Sequence, residues 1–284
     1  MKVKKCIIPI AGKGTRRLPI TKTVSKEMFP ILNEPTILLL VKECLKSGIE
    51  EIIFVVNKDN YKLLKSFFSE NKELEKFLEG NNKKELLSEL NEIITKIKFR
   101  YVFQNENIRG TAGAIFASRR YIKNEYFAVL FGDDLYDSEE PVLSQVIKEA
   151  EKYNCSVIGV SEVEEELKNY YYLVKYKKDN ILDYFVRNNN EKEQASNHKM
   201  LGRMVLNSTF FDKVLESQKH DDNEYFIPDV LELLNEEIRT LKCNGIYYNI
   251  GNILGFIKAN IAYGLKNDKI KEDLLDFIKN QIDG

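Results

Sequence analysis

The sequence is poor in the residues that mark several function classes. It has only 4 Cys and 2 His among 284 residues. Cys6, Cys44, Cys155 and Cys243 stand far apart, with no CxxC pair and no histidine cluster near them. That spacing argues against a zinc site and against a disulfide framework. It leaves all four as small apolar residues of the interior. His198 and His220 have no metal-ligand or triad context around them. An excess of positive charge is also missing, since 43 Lys+Arg face 44 Asp+Glu for a formal net charge of -1. A protein that neutralises a nucleic-acid backbone needs a basic surplus, so no nucleic-acid partner is expected. No apolar run nears the roughly 20 residues of a membrane-spanning helix. The basic start at Lys2, Lys4 and Lys5 is followed by too short an apolar stretch, with no cleavage site, to read as a signal peptide. A cytoplasmic protein without a membrane partner is therefore expected.

What is present is a folded-protein balance, 43% hydrophobic and 31% charged. Short apolar runs at residues 5–10, 51–56, 100–103, 126–131 and 156–160 read as buried strands. Helical periodicity fills residues 35–47, 61–69, 72–97, 111–122 and 141–152 between them. This alternation predicts right-handed crossovers and an α/β fold, a Rossmann-like, mostly parallel sheet flanked by helices. After about residue 162 the pattern changes. Residues 172–176 and 181–186 read as a hairpin, 187–199 as a polar exposed loop, and 200–206 as a strand. Helices are expected over 209–217 and 225–237, then a strand over 245–250 and two closing helices. One domain over residues 1–284 with a small antiparallel extension fits this order better than two independent domains. The 72–97 segment reads as an inserted surface element whose apolar stripe would also suit a partner subunit, which leaves a homo-oligomer open.

Two motifs carry chemistry. Ala11-Gly12-Lys13-Gly14-Thr15-Arg16 directly follows the first strand, and ligands of open parallel sheets bind beyond the carboxyl ends of strands. Gly12 and Gly14 let the backbone come close to a ligand and offer N–H groups to phosphate oxygens. Thr15 adds a hydroxyl, Arg16 a planar multi-donor fork, and Lys26 a further cation ten residues on. The loop is neither a dinucleotide fingerprint, which needs a third glycine, nor a P-loop. The second motif, Gly132-Asp133-Asp134, ends the fourth strand and faces the same crevice. Carboxylates there suit Mg²⁺, which is commonly shared between one or two carboxylates and substrate phosphates. Alone, each motif is also compatible with an ordinary polar turn; together they describe a metal–nucleotide site.

The whole run from Ile8 to Pro30 resembles the signature of bacterial UTP–glucose-1-phosphate uridylyltransferases, the prokaryotic UDP-glucose pyrophosphorylases of the sugar nucleotidyltransferase superfamily. Further matching blocks are residues 127–135, 202–206, 223–229 and 248–260, so the resemblance spans nearly the whole chain in order. It implies a nucleotide-binding part over 1–161 and a sugar-binding part over 162–284. It implies attack by the phosphate of a sugar 1-phosphate on the α-phosphorus of UTP, with Mg²⁺ as cofactor. Carried onto matching positions, Ala11, Gly12, Gly14 and Thr15 would hold the nucleotide, Arg16 the leaving phosphates, and Lys26 the oxygens near the α-phosphate. Glu27 and Gln104 match positions that read the uracil edge, and Gly110 would lie against base or ribose. Gly202, Tyr171 and Arg187 fall on the sugar side, and Asp133 and Asn249 on the metal.

The chain departs from the pattern at four places. Asn249 stands where the family has a second metal-binding Asp. The family's Glu-Lys-Pro, which holds the sugar and its phosphate, aligns with Arg187-Asn188-Asn189. Tyr171 aligns with a glycine that lies under the sugar. The stretch around Gly110 also looks more like relatives acting on other nucleotides. Four readings follow: an active uridylyltransferase, an active enzyme with a changed sugar or nucleotide, a divergent, weakly active or inactive paralogue that binds nucleotide or sugar nucleotide in a regulatory role, or, last, a nicotinamide dehydrogenase, which lacks the third fingerprint glycine and leaves Arg16 and Lys26 unexplained.

Overall fold

The computed structural model describes residues 1–186 and 195–282. Chain order begins with β1 (Lys5–Pro9), β2 (Pro30–Ile31), β3 (Glu34–Pro35), α1 (Thr36–Lys46) and β4 (Glu51–Val56). α2 (Lys58–Phe67), α3 (Lys72–Gly80), α4 (Ser88–Lys96), β5 (Lys98–Phe103) and α5 (Gly110–Phe116) follow. Next come β6 (Tyr126–Leu130), β7 (Asp134–Asp137), α6 (Val142–Tyr153), β8 (Ser156–Glu162), β9 (Leu173–Lys178) and β10 (Ile181–Val186). The last elements are β11 (His198–Asn207), α7 (Phe210–Lys213), α8 (Ile227–Leu231), β12 (Ile238–Lys242), β13 (Ile246–Asn249), α9 (Ile253–Gly264) and α10 (Lys271–Ile282).

Nine strands form one sheet in the order β5-β4-β1-β6-β11-β8-β12-β10-β9. The first four are parallel, as the buried apolar runs of the sequence require. β11 then inserts between β6 and β8, antiparallel to both. The antiparallel part is thus woven into the sheet between β6 and β8 as well as added at its far edge. Core side chains cover both faces. On one, Ile8, Leu40, Phe54 and Leu130 are buried together; on the other, Ile7, Ile115, Phe127 and Met204. All four cysteines are free; Cys6 and Cys44 are buried and Cys155 and Cys243 half-buried. No helix among the described residues is long and apolar enough to cross a membrane.

Several expectations shift. The 72–97 segment is broken into α3 and α4, because Gly80-Asn81-Asn82 ends the first helix and Asn82 takes a left-handed φ of 55°. The helix expected over 225–237 is confined to α8. The chain then returns as β12, an interior strand paired parallel with β8, which sequence reading missed. Its alternating Ile-Arg-Thr-Leu-Lys hides the signal, since the buried Thr240 is polar and Arg239 reads as surface. β7 was also missed. It continues from the Asp133-Asp134 turn and pairs antiparallel with β13, bringing Asn249 opposite Asp134. Finally, β11 begins at His198, so Lys199 belongs to a strand rather than to the polar loop.

Candidate active site

A cleft of about 670 Å³ opens at the carboxyl ends of the parallel strands. Ala11, Gly12, Thr15, Lys26, Gln104, Gly110 and Asp133 line it. Lys13 of the glycine-rich loop adds a cation to its wall, as do Lys58 and Arg109, to which sequence reasoning gave no role.

The glycine-rich loop is held from below. Asn57 follows β4, caps α2 together with Asn60, and donates from Nδ2 to the Ala11 carbonyl at 2.9 Å. Asn60 Nδ2 donates to the Ile10 carbonyl. These two satisfy loop carbonyls and so leave the loop's N–H groups for a ligand. The visible signal was an Asn three residues before another Asn at a strand-to-helix junction. Gly14 has φ 64°, a left-handed turn that favours glycine, and its carbonyl accepts from Thr21 at 2.9 Å. Nothing stands within 4 Å of where a Cβ on Gly12 would point, so that side of the loop is open. Arg17 lies between the Phe29 and Phe256 rings, 4.9 and 4.7 Å from their centroids, and fastens the loop's end to α9.

The cations of the loop converge on Asp133. Its Oδ2 lies 2.9 Å from Lys26 Nζ and 3.4 Å from Arg16 Nη2. Burial pushes the Asp133 carboxyl up, but Lys26 and then Arg16 outweigh it and hold the group below its ordinary range. Asn249 joins this cluster through Gly251. A Cβ there would stand 3.0 Å from both Asp133 Oδ2 and Asn249 Oδ1, and 3.3 Å from Arg16 Nη2. Asn249 Oδ1 accepts from Gly251 N–H at 3.0 Å, and the Asp133 carbonyl accepts from Ile250 N–H at 3.0 Å.

The Asp133-Asp134 turn is anchored by a buried ion pair. Arg203 is fully buried and grips Glu43 of α1 with two bonds, Nε–Oε1 at 2.9 Å and Nη2–Oε2 at 2.8 Å. The same Nη2 donates to the Asp134 carbonyl at 2.8 Å. Asp134 itself accepts from Tyr247 OH at 2.8 Å and from Gly202 N–H at 3.1 Å. Gly202 must be glycine, because a Cβ would meet Asp134 Oδ2 at 2.4 Å and Phe131 at 2.5 Å.

Gly110 begins α5 with φ 80° and packs on the Tyr225 backbone, where a Cβ would meet the carbonyl oxygen at 2.4 Å. Gln104 Nε2 donates to the Gly110 carbonyl at 3.4 Å. Glu27 is fully buried behind the loop and does not line the cleft. Ser25 donates to its Oε2, its Oε1 has no hydrogen bond among the described residues, and burial raises its pKa despite Lys26. Tyr171 and Gly202 lie on the Asp134 side and also do not line the cleft. Arg187 lies outside the described residues.

A glycine-rich loop, converging cations and a strand-end carboxylate define an α/β enzyme that moves a phosphate-bearing group. The comparisons with known proteins give the family. A model of the nucleotidyl transferase family matches residues 5–264. The chain is 39% identical to the UTP–glucose-1-phosphate uridylyltransferase of Staphylococcus haemolyticus, over 98% of each chain. A UDP-glucose pyrophosphorylase solved in complex with UDP-glucose superposes with a TM-score of 0.82 at 32% identity, covering 93% of this chain and 100% of that one. A UTP-bound relative from Acinetobacter baumannii gives 0.87 at 26% identity, covering 97% and 98%. The chain belongs to the nucleotidyl transferase family.

Proposed function

We propose that the protein transfers the uridylyl group of UTP to glucose 1-phosphate, giving UDP-glucose and pyrophosphate. The observation that carries this is the meeting of Lys26, Arg16 and Asn249 at Asp133, on the edge of the cleft. A phosphate oxygen of the sugar 1-phosphate attacks the α-phosphorus, the bond to the β-phosphate breaks, and pyrophosphate leaves. Positioning of two anions and stabilisation of developing charge suffice for such a step. Loop N–H groups from Gly12 onward hold the triphosphate, Arg16 takes the leaving phosphates, and Lys26 the α-phosphate oxygens. Gln104 and Gly110 sort the base. Family membership and the relatives' reactions support this reading over a nicotinamide enzyme.

A metal fits the same place. Among the described residues no cluster of three or more His, Cys, Asp or Glu could hold one. Asp133 and Asn249 instead offer two neighbouring oxygens, the hard donors that Mg²⁺ accepts alongside substrate phosphates. When bound, Mg²⁺ would neutralise phosphate charge. Asn249 would offer a neutral oxygen already committed to one N–H, which favours weak metal binding and keeps a poorly active paralogue as the second reading.

Two experiments test these readings. Purified protein with Mg²⁺ is offered each nucleoside triphosphate with a panel of sugar 1-phosphates, and pyrophosphate release is followed. UTP with glucose 1-phosphate should lead; another pair in the lead reassigns the substrates, and no turnover favours the paralogue. Asn249→Asp should lower the Mg²⁺ concentration for half-maximal rate by roughly ten-fold, because ligand charge tunes affinity. An unchanged Mg²⁺ dependence would remove Asn249 from the metal.

A further inference from the structure

Lys199 is 7% exposed, yet its ammonium has no hydrogen bond or ion pair to any described residue. It rests instead on two aromatic faces, 4.0 Å from the Tyr171 centroid and 4.4 Å from that of Tyr247. Taking an ammonium out of water is costly, and cation–π contacts return only part of that cost. Burial lowers the lysine's pKa, with Asp134 drawing it back. Among the described residues no hydrogen-bonded anion sits on this ammonium.

Its position fits the acceptor. Tyr247 and Asn249 lie two residues apart on β13 and so share one face, roughly 7 Å from each other. The Tyr247 hydroxyl also ties this wall to Asp134. The ammonium therefore shares its surroundings with Asp134, the neighbour of Asp133, and none of Lys199, Tyr171 and Tyr247 lines the nucleotide cleft. Meanwhile Asn188 occupies the place where the resemblance expects a phosphate-holding lysine. We infer that Lys199 binds the phosphate of the sugar 1-phosphate, between the Tyr171 and Tyr247 rings, so that the acceptor-side cation has moved from the loop to β11. This rests on the uridylyl-transfer reading.

The test is Lys199→Met, which keeps length and packing, beside Lys199→Arg, which keeps charge. KM for glucose 1-phosphate should rise roughly ten-fold or more in the Met variant, the worth of one charge-assisted contact, while KM for UTP stays within about two-fold. The Arg variant should recover part of the loss. Equilibrium titration separates this from the reading it rests on, because it needs no turnover. UDP-glucose should bind the Met variant roughly ten-fold more weakly than wild type, with UTP unaffected. A structural lysine would lower Tm on substitution, whereas removal of a buried cation kept for a ligand should leave Tm equal or higher. Wild-type protein without turnover would sink the reading. Equal UDP-glucose affinity in the two proteins, or a loss shared equally with UTP, would overturn the assignment of Lys199.

Discussion

Lys26→Ala should lower kcat by about 10²–10³-fold, with the protein still folded. The size follows from losing one preorganised group at the place where charge develops. Lys26 has a double task. It holds Asp133 at 2.9 Å before substrate arrives and meets the phosphates afterwards. Without it, burial of Asp133 is opposed mainly by the more distant Arg16, so its pKa should rise and its hold on a metal weaken. Steady-state rates over a range of Mg²⁺ check both effects. Half-maximal Mg²⁺ should shift upward together with the fall in kcat. A rate within about three-fold of wild type would remove Lys26 from the reaction.

Arg203→Ala should destabilise the fold by about 3–5 kcal/mol, because it strands Glu43 half inside the protein. Tm should drop on the order of 10 °C. The loss reaches the site as well, since Arg203 holds the Asp134 carbonyl and with it the turn that carries Asp133. The pair Glu43→Leu with Arg203→Met should recover much of the stability, as buried ion pairs often yield to apolar replacements of similar volume. It should not recover the activity, because the Asp134 carbonyl then lacks its donor. Denaturant unfolding of wild type, Arg203→Ala and the double variant, together with their rates, measures the two outcomes separately. A double variant no more stable than Arg203→Ala would contradict this account of the pair.

The parallel half of the sheet was legible because buried β-branched runs carry their own signal. Lys5–Pro9 and Glu51–Val56 need both faces covered, and the glycine-rich loop and the Asp133-Asp134 turn fall at strand ends where ligands gather. The resemblance then tied those two places together. What stayed hidden depends on partners distant in sequence. Glu43 and Arg203 are 160 residues apart, and neither the helix nor the strand pattern announces their pairing. Lys199 reads as surface because lysine usually is, and only β11's burial turns it inward. β12 and the β7–β13 ribbon were obscured for the same reason. Their polar residues pair with strands that local periodicity cannot see. Asn57 and Asn60 were readable as a helix cap, but not as the supports of a loop 46 residues away.

The central claim is that the acceptor's phosphate attacks the α-phosphorus of UTP. It is tested most directly with glucose 1-phosphate labelled with ¹⁸O throughout its phosphate, incubated with UTP, Mg²⁺ and the wild-type protein. Mass spectrometry of the products then reports which bonds broke. Attack at the α-phosphorus keeps every labelled oxygen on the glucose-bearing phosphate of UDP-glucose and leaves pyrophosphate unlabelled. Label in pyrophosphate, or UTP consumed without UDP-glucose, would contradict it.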